Sequence, residues 1–177
     1  MSLEKRRSLR KSFITSQFNY CPLIWMFHSR ALNNRINKIH ERALRLVYKN
    51  NNLSFAELLH LDNSVTIHQR NIQVLATEIF KVKNKLAPEI MNEVFEFKTP
   101  CYNFRSDVSL FKKQNVKTTY YGQQSVKYLG PKIWDMVPQS IKNSNSLKEF
   151  KFLIKQWKPD GCPCRLCKTY VAQVGFI

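Results

Sequence analysis

A mainly α-helical fold is expected of this 177-residue sequence, on three observations. Apolar residues recur at three- and four-residue steps through several segments, the spacing of a single buried helix face. Ser-x-x-Glu signatures, in which a serine caps the first turn and a glutamate reaches back, open two such segments. Apolar residues make up 44% of the chain and aromatics 12%, enough large side-chain area to build a core and exclude wholesale disorder. The expected architecture is a small helical bundle. It carries an extended segment near residues 100–130, a candidate β-hairpin, and a Cys-rich tail.

The elements follow in order. Residues 1–50 form a basic helical segment, two helical stretches around a break at Pro22. In the second stretch Ile36, Ile39, Ala43, Leu46 and Val47 mark one buried face, while Arg35, Lys38, Arg42, Arg45 and Lys49 fall largely off it. The Asn50-Asn-Asn52 run stops that helix. Residues 51–98 form the bundle. Ser54-Phe-Ala-Glu57 opens a short helix carrying Leu58, Leu59 and Leu61. A long helix from about Val65 to Leu86 places Ile72, Leu75, Ala76, Ile79, Phe80 and Val82 together, and Ala87-Pro88 ends it. Pro88 suits the first position of another short helix through Phe95.

Residues 99–140 lose the helical period. Tyr102, Phe104, Phe111, Tyr120, Tyr121 and Tyr128 alternate with lysines and Arg105, and Val116–Tyr121 favours extended backbone before Gly122. Residues 141–158 hold the last helix, opened by Ser146-Leu-Lys-Glu149. Its apolar side collects Leu147, Phe150, Leu153, Ile154 and Trp157, and Pro159-Asp-Gly161 ends it. Residues 159–177 are the Cys-rich tail.

Charge narrows the function. The formal net charge is +17, a density that calls for a polyanion partner. It sits at the ends: net +9 over residues 1–50, −1 over 51–100, +5 over 101–150 and +4 over 151–177. RNA or DNA is the expected partner, because phosphate contact plus base stacking needs this pairing of cations and aromatics. A plain solvated basic surface is the alternative. The helix bearing Arg35, Lys38, Arg42, Arg45 and Lys49 is the candidate nucleic-acid contact. Ser12 to Ser29 lacks any Asp, Glu, Lys or Arg, yet Thr15, Gln17, Asn19, Pro22 and His28 make it a core segment rather than a membrane span. No clean apolar run and cleavage site follow the basic N-terminus, and the cysteines do not resemble a secreted disulfide framework. An intracellular protein, nuclear or cytoplasmic, is expected.

Cys162-Pro-Cys164-Arg-Leu-Cys167 is the clearest chemical signal. Three thiolates at C-x-C-x-x-C spacing converge on a tetrahedral metal, with zinc the candidate cofactor. A fourth ligand has to come from Cys101, Asp160, a histidine brought in by folding, or a second chain. A reduced cluster without metal is the other reading. His28, His40, His60 and His68 show no ligand spacing and read as surface or core residues. Asp62, Asp107, Asp135 and Asp160 stand apart, so no two-metal carboxylate site forms, and no nucleophile signature is present. No catalytic residue is expected.

Two longer motifs carry a family resemblance. Ile14-Thr-Ser-Gln-Phe-Asn-Tyr-Cys-Pro-Leu-Ile-Trp25 and the following Ile36-Asn-Lys-Ile-His-Glu-Arg-Ala-Leu-Arg-Leu46 resemble the end of the polymerase region in jockey-like non-LTR retrotransposon reverse transcriptases. Ser125-Val-Lys-Tyr-Leu-Gly-Pro-Lys-Ile-Trp-Asp-Met-Val-Pro-Gln-Ser-Ile141 is similar to that family's C-terminal Gly-Pro-x-x-Trp signature, and Ser146-Leu-Lys-Glu-Phe-Lys151 to the helix after it. The resemblance covers roughly residues 8–158. It implies thumb-adjacent and post-polymerase regions of an RNA-directed DNA polymerase, working with the remainder of that enzyme. The polymerase palm with its aromatic-Ala-Asp-Asp motif has no counterpart here, so the chain alone is expected to be inactive. What carries over is nucleic-acid contact by the basic helix. Trp25 and Trp134 match motif positions and are expected in the core. The rival reading is a standalone or domesticated zinc-dependent interaction or nucleic-acid-binding protein without catalysis.

Overall fold

The computed structural model describes residues 1–98, 110–159 and 162–167, and these are mainly helical. They belong to two compact units, Met1–Asn71 and Ile72–Ile177. Among the described residues no helix is long and apolar enough to cross a membrane.

In the first unit, α1 (Leu3–Arg10) starts at Ser2, whose hydroxyl accepts from the Lys5 amide at 3.4 Å. The chain continues through a π turn, Lys11–Thr15, and a 3₁₀ turn, Gln17–Asn19. Pro22 opens α2 (Pro22–Trp25) at a position where its missing N–H has no helical partner to lose. The charge-free stretch Ser12–Ser29, expected as core, divides between exposed and half-buried positions. Met26 alone within it is buried, while Phe13, Tyr20 and Ile24 are 71%, 79% and 84% exposed. Three short turns of different pitch cannot hold one face inward, which is why an uncharged composition misleads there.

Ser29 caps α3 (Arg30–Tyr48), and Ser54 caps α4 (Phe55–Leu61) with the full reciprocal box. The Ser54 hydroxyl accepts from the Glu57 amide at 3.3 Å, and the Glu57 carboxylate accepts from the Ser54 amide at 2.7 Å. Ile36, Ala43 and Val47 are buried as expected, but Ile39 and Leu46 are exposed. His40 and Leu44 take the inner positions, so the buried stripe is turned by about one residue. Polar contacts cause this turn. The Arg10 guanidinium donates to His40 Nε2 at 3.3 Å, and Phe55 meets the imidazole edge-on at 5.6 Å between centroids.

Helix α5 (Ile67–Lys83) spans the boundary between Asn71 and Ile72. Thr66 and Gln69 form its N-terminal box: Thr66 Oγ1 accepts from the Gln69 amide at 3.2 Å, and Gln69 Oε1 from the Thr66 amide at 3.1 Å. The expected inner face, from Ile72 to Val82, is buried. The helix stops three residues short of Leu86, because Lys85 turns left-handed at φ 55.

The rest of the second unit packs around aromatics. After α6 (Ile90–Val94), Phe97 and Phe111 form one antiparallel bridge, the only β pairing among the described residues. Phe95, Phe111, Trp134, Phe150 and Phe80 form a continuous chain of ring contacts, with Phe80 stacked on Phe150 at 4.2 Å. Residues 99–109 of the expected extended segment, with Cys101, lie outside the described residues, as do Asp160 and residues 168–177.

One correction falls in the second unit. Residues 126–136, read as extended, form α7 (Val126–Met136), and Val116–Tyr121 joins no strand. Gly130-Pro131 disguises that helix in sequence. Gly130 is there because a Cβ would lie 2.4 Å from the Phe95 ring. Leu129, Ile133 and Trp134 supply the buried face. Short α8 (Gln139–Lys142) leads to α9 (Leu147–Gln156), with Phe150 and Ile154 buried. In α9 the Glu149 carboxylate accepts from the Asn145 amide rather than from Ser146, one residue earlier than the signature implies.

Candidate metal centre

Beyond α9 the chain is tied back to α5. The Gln73 side-chain amide donates to the carbonyl of Trp157 at 2.7 Å, just before the Cys-rich segment. His68 sits at the second position of α5. Its ring and the Sγ atoms of Cys162, Cys164 and Cys167 lie within 4.8 Å of one another. Cys162 and Cys164 are 2% and 0% exposed and His68 8%, with Cys167 at the rim.

This donor set can hold a metal ion. Tetrahedral zinc with Zn–S bonds of about 2.3 Å spaces its ligands roughly 3.8 Å apart, so a contraction of about 1 Å at most closes the shell. Without a cation the site resists ionisation. The Cys162 thiol donates to the Cys164 and Cys167 sulfurs, and this hydrogen bonding, followed by burial, pushes it far above its ordinary range. A metal ion reverses that preference by stabilising thiolates directly.

The three cysteines expected as ligands are thus brought together. The fourth donor is His68, a residue read as ordinary core or surface. Its local signal was the Thr66-Ile-His-Gln69 box, which fixes His68 in a helix's first turn. Nothing local links that turn to cysteines so far along the chain. Of the other histidines, His40 is buried against Arg10, and His28 Nδ1 donates to the Trp25 carbonyl at 2.6 Å. Trp134 is core, 2% exposed, while Trp25 is half-buried with its indole N–H donating to the Tyr20 carbonyl.

The basic helix is α3. Arg35, Lys38 and Arg42 are exposed along one face, near the exposed Ile39 and Leu46, and Lys49 is exposed in the left-handed cap that ends the helix. Arg45 is half-buried and engaged: its Nη2 donates to Glu41 Oε1 at 2.7 Å, and its Nη1 donates to the Asn51 carbonyl. No family model, curated protein or solved structure matches this chain.

Proposed function

We propose that the chain is a nucleic-acid-binding module with one structural zinc at its Cys-rich segment, without catalysis of its own. The carrying observation is the open cationic face of α3, where Arg35, Lys38 and Arg42 stand exposed, with Lys49 exposed in the cap just beyond. Steps of three and four residues space such side chains about 4.5–6 Å along a helix, a pitch that lets successive cations follow a phosphate backbone. The sole carboxylate in α3, Glu41, is engaged by Arg45, so the face stays positive. The motifs at Ile14–Trp25 and Ser125–Ile141 support placing the module at the C-terminal end of a non-LTR reverse transcriptase, where it grips template or target while the rest of the enzyme performs synthesis.

Fluorescence anisotropy with labelled RNA and DNA tests this. Binding at low salt that falls steeply at moderate salt is expected, with Arg35→Glu/Lys38→Glu/Arg42→Glu weakening it more than about tenfold. No binding at low salt overturns the reading. A second reading, action through a protein partner, is favoured by the exposed Phe13, Tyr20 and Ile24 of the first unit. A chain that holds zinc and binds no nucleic acid would select it.

A further inference from the structure

Next to the Cys cluster, within the second unit, lies a cavity of about 340 Å³. That falls in the roughly 300–1,000 Å³ range of small-molecule sites. Its wall is made by Tyr120, Gln123 and Gln124 before α7, Tyr128 and Lys132 on α7, and Arg165 between Cys164 and Cys167. No Asp or Glu lines it. Each aromatic ring carries a cation. The Arg165 guanidinium lies 5.1 Å from the centre of the Tyr120 ring, and Lys132 Nζ lies 3.7 Å from that of Tyr128. Gln124 Oε1 accepts from the Arg165 amide at 3.3 Å, so the metal-ligating loop forms one side of the cavity.

We infer that this cavity is a nucleotide-binding site that takes one unstacked base of a single strand. Tyr120, 57% exposed, offers ring surface that every base can stack against, with the Arg165 cation over the same ring. The side-chain amides of Gln123 and Gln124 carry both donors and acceptors, the groups needed to meet a base edge. Lys132 and Arg165 supply charge for the adjoining phosphates. A paired base cannot enter such a pocket without being drawn out of its stack, so the site selects single strands over duplex. Because Arg165 lies between two cysteines of the cluster, the metal fixes one wall of the cavity. This inference rests on the nucleic-acid reading above, while using residues separate from α3.

Anisotropy with a short labelled single-stranded RNA and the same sequence as duplex tests it, on the zinc-loaded chain. Tyr120→Ala is expected to weaken single-strand binding roughly 5- to 150-fold and to leave duplex binding within about twofold. The α3 charge reversals should weaken both. Equal effects of Tyr120→Ala on single strand and duplex, or none on either, overturn the pocket while the nucleic-acid reading stands. A wild-type chain that binds neither overturns both. Metal content measured for each variant reports folding. Should Tyr120→Ala lose its zinc, Lys132→Ala and ultraviolet cross-linking of the bound strand take over. A cross-link at Tyr120 or Tyr128 is expected, and cross-links confined to α3 contradict the inference.

Discussion

Asp62 concentrates the electrostatics of the first unit in one nearly inaccessible carboxylate, 4% exposed. Arg10, also buried, meets it at 2.6 Å, the Tyr48 hydroxyl donates to it at 2.9 Å, and Arg7 approaches at 3.5 Å while donating to Tyr48. Removing one member of a buried pair leaves an uncompensated charge. Asp62→Ala is therefore expected to lower stability by about 3–5 kcal/mol, read from urea unfolding; a loss under about 1 kcal/mol contradicts the network. His40 gives a pH signature to the same cluster. Burial, then the Arg10 charge, lowers its pKa from 6.5 to about 4. Between those values the unfolded chain holds a proton that the folded chain does not. Stability is therefore full above about pH 6.5 and falls as pH drops toward 4, by about 3 kcal/mol. His40→Gln, which keeps an acceptor for Arg10, should flatten that slope in unfolding curves taken across the range. An unchanged slope would assign it to other groups.

At the scale of elements, local rules made much of the fold legible and failed where distant contacts decide. The Ser54 box, the Ser146 cap and the spacing of α5 follow from short-range hydrogen bonding and periodicity, and the structure has all three. Helix α7 could not be read because Gly130-Pro131 is a helix-breaking pair by propensity. Gly130 answers to Phe95, a residue far from it in sequence. The register of α3 was off by one position because His40, polar by type, is drawn inward by Arg10. The helix stops are similar in kind. Lys85 closes α5 in a left-handed turn, its amide donating to the Val82 carbonyl at 3.1 Å and that of Leu86 to Lys81 at 2.8 Å. Glycine fills this position without the Cβ strain, so Lys85→Gly is expected to raise stability by about 1 kcal/mol in thermal unfolding. A destabilised variant would show that the lysine side chain itself holds the cap.

For the whole molecule, the proposed reading divides the work between charge and metal. The +17 net charge was visible in composition, and so were three of four metal donors. The fourth was not, because a ligand's partner across the chain leaves no local mark on a lone histidine. On the proposed reading metal binding would deprotonate the cysteines and order the segment that carries them, so chelation is expected to loosen that segment and abolish single-strand preference while leaving α3 contacts in place. Native mass spectrometry of chain purified without chelator, beside His68→Ala and Cys164→Ser, tests the four-donor centre most directly. One zinc per wild-type chain, with occupancy sharply reduced in both variants, is the predicted result. A metal-free wild type, or zinc retained in full by both variants, would contradict it.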